Sequence, residues 1–220
     1  MRQFFRNNGL SLVLFVLFAV FLGAQSYTGW QVNNEDREEH DRPALAYTEY
    51  LKSGHFIEAT FENWESEYLQ MGAYVLLTVF LFQRGASESK DPDDPAEDAP
   101  DPEKERQDPQ APWPVRHGGL VLKLYENSLS LALLLLFVIS FVLHAIGGTW
   151  TSNEERVLHG EAPQTVWQFV QTTDFWFQSF QNWQSEFLAV LSLVVLSIWL
   201  RQRGSPESKP VASPHHETGG

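Results

Sequence analysis

The sequence predicts an all-α membrane protein: four transmembrane helices from a parallel duplicated two-helix unit, with short helices in the two outer loops. Three observations carry that expectation. Four apolar runs interrupt a chain whose formal charge is −13. Residues 5–90 align without a gap on residues 124–209, with 28 identities in 86 positions. Lysine and arginine gather at alternate connections between the runs.

The mean hydropathy of −0.25 hides the runs, because apolar and acidic stretches are segregated along the 220 residues. LSLVLFVLFAVFLGA (10–24) and LSLALLLLFVISFVL (129–143) carry no charge. YLQMGAYVLLTVFLF (68–82) and FLAVLSLVVLSIWL (187–200) complete the four. Long uncharged runs with aromatic flanks fit membrane spans better than core helices. The expected spans cover about 9–26, 64–83, 128–146 and 183–202, near the roughly 20 residues that hydrocarbon requires. Arg2 and Arg6 ahead of the first run also fit a secretory signal, with Ala24 and Ser26 as small residues for cleavage. The counterpart of that run lies in mid-chain at 129–145, where it cannot be a signal, so a retained span is expected.

The repeat is not a chance match of leucines, because the polar residues between the runs match too. Asn34, Glu35, Arg37 and His40 correspond to Asn153, Glu154, Arg156 and His159. FENWESEYL (61–69) corresponds to FQNWQSEFL (180–188), and Gln83-Arg84-Gly85 to Gln202-Arg203-Gly204. The expected organisation is a first two-span repeat at 1–84, a linker at 85–117, a second repeat at 118–203 and a tail at 204–220. The linker is rich in proline, aspartate and glutamate and nearly free of apolar residues, so it is expected to be a disordered tether. The tail is expected to be unstructured as well.

Eleven of the fifteen basic residues fall at the N-terminus, the linker region and the C-terminal tail. Arg37, Arg42, Lys52 and Arg156 are the other four. That bias places both termini and the linker in the cytoplasm. Both copies then enter from one side, which implies a pseudo-two-fold axis along the membrane normal and a four-helix bundle. PALAYTEYL (43–51) and PQTVWQFVQ (163–171) each predict a short outer helix opening near a proline.

Counting about 20 residues back from the basic ends of spans two and four reaches Trp64 and Trp183, at the depth where tryptophan is enriched. Glu67 and Glu186 then lie about a turn deeper, level with Gln25 and His144. Asn63, Asn182, Ser66 and Ser185 border this polar ring. Three readings of the ring stay open: interhelical hydrogen bonds that fix packing, glutamates reaching interfacial water, or an ion or substrate path. Arg84, Arg201 and Arg203 are expected to reach lipid headgroups.

Other chemistry is sparse. The chain has no cysteine, so disulfides and thiolate chemistry are excluded. The acidic balance argues against nucleic acid as a partner. The Asn-Glu-Asp/Glu-Arg-x-x-His stretches provide too few ligands for a closed metal site, and Asn34 and Asn153 are expected as helix N-caps. No catalytic triad, phosphate-binding glycine loop or HExxH occurs. No catalytic residue, cofactor or metal ligand is therefore expected. The expected role is a non-enzymatic structural or accessory component whose partners are the lipid bilayer and a second copy or another membrane protein. The alternative is a small transporter or channel with a polar site at the outer leaflet. An enzyme with an outward carboxylate–histidine site ranks last.

The doubled NWxSE motif, the opening FFRNNGLSL (4–12), LRQRGSPESKP (200–210) and the final PHHETGG resemble a family of bacterial integral membrane proteins of unknown function. The resemblance implies bacterial origin and residence in the plasma (inner) membrane. It implies no activity and no functional residue.

Overall fold

The computed structural model describes residues 2–91, 93 and 101–219. Among them every regular element is helical: α1 (Arg2–Glu39), α2 (Tyr47–Tyr50), α3 (Gly54–Phe80), a 3₁₀ turn (Lys104–Gln107), α4 (Trp113–His117), α5 (Gly119–Glu126), α6 (Ser128–Leu158), α7 (Val166–Val170) and α8 (Thr173–Ser197). Two of these are long and apolar enough to cross a membrane by length and composition, over Gln3–Glu39 and Ser128–Leu158. Helices α3 and α8 fall short of that standard among the described residues. Their N-terminal halves carry Glu58, Glu62, Glu65 and Glu67, or Asp174 and Glu186, and they end at Phe80 and Ser197. The central part of the acidic linker, residue 92 and residues 94–100, lies outside the described residues.

The chain forms two compact units. The first comprises Met1–Phe61 and Val142–Phe175. Here α1 and α6 run on to Glu39 and Leu158, well past the apolar stretches that announce them. Asn34 and Asn153 consequently lie inside helices and are not N-caps. Each instead grips backbone eleven residues later. Asn34 Nδ2 donates to the Leu45 carbonyl at 3.1 Å, and its Oδ1 accepts from Leu45 N at 2.8 Å. Asn153 does the same with Gln164, at 2.9 and 2.7 Å. One turn on, Arg37 Nε donates to Pro43 O at 2.9 Å and Arg156 Nε to Ala162 O at 2.8 Å. Each loop is thus clasped to its own helix by two side chains, satisfying backbone groups that would otherwise need water.

The clasp delivers the short helices. A first-turn acceptor opens each: Glu49 Oε2 takes Ala46 N at 2.9 Å, and Gln168 Oε1 takes Thr165 N at 2.8 Å. Pro43 and Pro163 precede these helices and do not open them; the N-caps are Ala46 and Thr165. Each short helix buries one ring, Tyr50 or Phe169, over a glycine of the long helix. A Cβ at Gly29 would meet the Tyr50 hydroxyl, and one at Gly148 would meet the Phe169 ring at 2.5 Å. Gly147 faces α3 so closely that a Cβ would stand 2.5 Å from Glu58 N.

The second unit comprises Glu62–Phe141 and Trp176–Gly220. A Cβ at Gly72 of α3 would sit in ordinary contact with Leu133 and Leu134 of α6, at 3.5 Å. After α3 and after α8 the chain makes the same turn. Gly85 and Gly204 take left-handed φ of 86° and 84°, a conformation glycine adopts without a Cβ penalty. Gln83 N donates to Ser89 Oγ at 2.8 Å, and Gln202 N to Ser208 Oγ at 2.9 Å. The described part of the tail folds back on these turns. Gly85 N donates to Thr218 Oγ1 at 3.0 Å and Gly219 N to Ala86 O at 3.0 Å. Lys209 is buried, and its Nζ donates to the carbonyls of Pro214, His215 and Glu217 at 3.4, 3.1 and 2.7 Å.

Candidate functional site

The doubled NWxSE stretch lies in the second unit, on α3 and α8. Neither helix contains a lysine or an arginine, and Glu62 and Glu65 of α3 take neutral donors. The donors come from the opposite copy. Asn182 Nδ2 donates to Glu62 Oε1 at 2.5 Å, and Trp183 Nε1 donates to Glu65 Oε1 at 3.1 Å. Glu65 is fully buried and Ser66 nearly so.

An aromatic cluster packs around the Trp183 indole. Phe180 lies 5.6 Å from it and Trp176 and Phe137 each 6.2 Å, all edge-on. Phe141 adds contacts to Phe137 at 5.8 Å and Trp176 at 6.3 Å. Trp176, Phe180 and Trp183 are four and three residues apart on α8 and so share one helical face, whose Trp183 meets the carboxylate.

The eight expected ring residues divide between the two units. Glu67 and Glu186 belong to the second, and their carboxyls lie within electrostatic range of each other. Asn63 and Glu67 are exposed, Glu186 is half-buried, and Ser185 is exposed. Ser66 and Ser185 make the same local bond, Oγ to the carbonyl of Asn63 or Asn182, at 2.7 and 2.8 Å. Gln25 and His144 belong to the first unit and have different surroundings there. Gln25 is exposed and donates to Ala59 O at 3.3 Å. His144 is fully buried with its ring stacked on Phe175 at 4.8 Å. In α1 Ser26, next to Gln25, is buried, and its hydroxyl meets Tyr47 Oη at 2.6 Å.

The acidic residues with the firmest partners, Glu62 and Glu65, are not those the sequence singled out. A signal for them existed: they are where the copies disagree, with Gln181 and Gln184 in the second.

The expected interface anchors also have specific partners. Trp183 turns its N–H onto Glu65. Arg201 Nη1 donates to the carbonyls of Ser197, Ile198 and Leu200 at the end of α8, between 2.8 and 3.1 Å, and Nη2 reaches Ser213 O at 3.3 Å. It thereby caps the helix, where a cation also suits the helix dipole. Arg84 pairs with Asp93 at 2.7 Å, and that bond raises its already high pKa. Trp64 is half-buried and Arg203 exposed. Beside these ends, a hydrogen bond with Glu88 and the charge it brings hold the Glu207 carboxyl above its ordinary range. Burial and then the nearby Arg201 hold Lys209 below its own.

Among the described residues no group of three or more His, Asp or Glu is placed to hold a metal ion. The imidazoles of His40 and His159 bond the carbonyls of Asp36 and Glu155 on their own helices, at 2.8 and 2.9 Å.

A family model described as a domain of unknown function, DUF6766, matches residues 1–220. The chain belongs to that family. No curated protein and no solved structure matches it. Membership therefore brings no activity with it, and the functional argument rests on the residues above.

Proposed function

We propose that this DUF6766 protein is an integral membrane protein of structural or accessory function, without enzymatic activity. The observation that carries this reading is the uncovered apolar surface of α1. Leu10 is 75% exposed, Phe15 and Phe21 each 67%, and residues between them are exposed on every side of the helix. Contiguous apolar surface of this extent is costly in water, at about 25 cal/mol for each Å²; in hydrocarbon the cost vanishes. The polar interior supports a holding role, because Glu62 and Glu65 are engaged by Asn182 and Trp183.

In this reading the two-helix unit is duplicated in parallel and the chain crosses a bacterial plasma membrane four times. Helices α3 and α8 supply the second and fourth crossings. The termini and the acidic linker lie in the cytoplasm, and the partners are lipid and either a second copy or another membrane protein. The absence of cysteine makes a direct test available. Single cysteines replacing Thr48 and Ser205 are probed in whole cells with a membrane-impermeant maleimide. Labelling at 48 without permeabilisation, and at 205 only after it, is expected. Release of the protein by alkaline carbonate, or labelling at 205 in intact cells, would overturn the reading.

The electrostatic proximity of Glu67 and Glu186 favours one second reading, a small transporter or channel. Cation flux into proteoliposomes that disappears in Glu67→Gln and Glu186→Gln would establish it. Wild-type protein without flux would remove it.

A further inference from the structure

The first unit holds a cavity of about 220 Å³. Its polar lining includes Asn33 and Asp36 of α1, Arg42 of the following loop, His55 at the start of α3, and Glu154 and Glu155 of α6, beside the hydroxyls of Ser53 and Thr151. At roughly 30 Å³ per water it has room for several waters or one molecule of amino-acid size.

The lining is unbalanced in two respects. Three carboxylates face one guanidinium, and Arg37, which adds a contact to Glu154 at 3.4 Å, does not restore neutrality. The Arg42 amino groups are already taken, Nη1 by Glu154 at 2.8 Å and Nη2 by Asp36 at 3.2 Å. Its Nε is buried with no hydrogen-bond partner, and so is Asn33 Oδ1. One buried donor and one buried acceptor therefore stand unmatched in residues that line the same small space. Such atoms destabilise the fold until something bonds them. His55 Nδ1 is occupied by the Tyr50 hydroxyl at 3.1 Å, which leaves Nε2 as its free nitrogen.

We propose that this cavity binds a small molecule carrying a primary ammonium group and, a few bonds away, an acceptor oxygen: the head of an amino acid or an amino alcohol. The ammonium supplies three donors and no acceptor, matching Asn33 Oδ1 and the surplus carboxylates of Asp36 and Glu155. The acceptor oxygen matches Arg42 Nε, with His55 Nε2 as a second donor. The excess of negative charge disfavours a simple carboxylate. A simple amine leaves the guanidinium N–H unmatched. Because both unmatched atoms are sealed from solvent as the site stands, binding requires a small outward movement of the Arg42 loop. Nothing in this inference depends on the chain crossing a membrane.

Thermal unfolding of the purified full-length protein tests it, with L-alanine, ethanolamine, propylamine and propionate added separately at millimolar concentration. A rise in melting temperature with alanine, ethanolamine or both is expected, exceeding that with propylamine and absent with propionate. Alanine alone would identify an amino-acid site, and ethanolamine alone an amino-alcohol site. The rise is expected to vanish in Asn33→Ala and in Arg42→Lys, which keeps the charge on Glu154 but lacks the Nε–H. If either variant folds poorly, binding of radiolabelled alanine and ethanolamine to wild-type protein, challenged with propylamine and propionate, decides the same question. No shift and no binding with any compound, an equal effect of propylamine or propionate, or an undiminished effect in both variants would overturn the proposal.

Discussion

The Asn and Arg of the stretches at 34–37 and 153–156 hold loop backbone in the same way in both copies, whereas the stretches at 61–69 and 180–188 do complementary work. Asn34 and Asn153 each hold backbone eleven residues ahead, and Arg37 and Arg156 each hold backbone six ahead. Those contacts stay within one copy, so each copy meets the same geometric problem with the same residues. Glu62 and Glu65 instead bond Asn182 and Trp183, and Gln184 donates to Gln181 O on its own helix. Where one copy bonds the other, a donor needs an acceptor, and two identical surfaces serve less well. At Glu62 and Glu65 the sequence difference between the copies coincides with bonds from one copy to the other.

The largest expected effect tests whether the copies are equivalent at their long helices. Gly147→Ala places a Cβ against Glu58 N and is expected to cost about 3 kcal/mol in chemical unfolding, the upper end of typical overpacking. Its counterpart Thr28 is exposed, so Thr28→Ala is expected to change stability by less than about 0.5 kcal/mol. Next is Glu65→Ala, which strips the half-buried Trp183 N–H of its acceptor and is expected to cost about 2 kcal/mol. Glu65→Gln keeps an acceptor oxygen and is expected to cost less than half of that. Gln184→Ala at the matching position is expected to be silent. Equal effects at 65 and 184 would break the claim that these stretches are complementary.

Smaller still are Asn34→Ala and Asn153→Ala, each expected to cost about 1 kcal/mol through partly exposed hydrogen bonds. The sharper expectation is that the two values agree, and hydrogen exchange at Leu45 and Gln164 reports each clasp separately. The smallest effect appears only in alkali. Burial, and then the charge of Tyr47, push the Tyr50 hydroxyl up to about 12 from 10.0. A raised folded-state value favours the protonated form, so its stabilisation is complete below pH 10 and is lost as pH rises toward 12. Tyr50→Phe is expected to remove that slope and to fold, since Phe169 occupies the matching place over Gly148.

The helical class was legible because apolar runs and period-3.6 faces are local signals. The short helices at 47–50 and 166–170 were expected from Pro43 and Pro163, which precede them without opening them. Helix ends were not. Apolar content marks a candidate span, but α1 and α6 continue through polar residues that the loops clasp from outside, and composition says nothing about clasps. Asn34 was misread because the same amide can cap a helix or grip a passing loop, and only the position of residue 45 distinguishes the two. The buried carboxylate at Glu65, two residues from Glu67, was missed because depth counting fixes a level along the axis and leaves the azimuth open. Gln25 and His144 share a level by that counting, yet one is exposed and the other buried. The Asn33–Arg42 cavity had no signal at all, since it depends on which atoms remain unmatched after folding.

Lys90 and Lys209 end the same Gln-Arg-Gly-x-x-Glu-Ser-Lys phrase, yet only Lys209 is enclosed by backbone carbonyls. To an amine-reactive ester they are different molecules. Lys90 meets the reagent at once, while Lys209 waits for the tail to let go. The delay between the two acylations is a clock, and its rate is the opening rate of the tail.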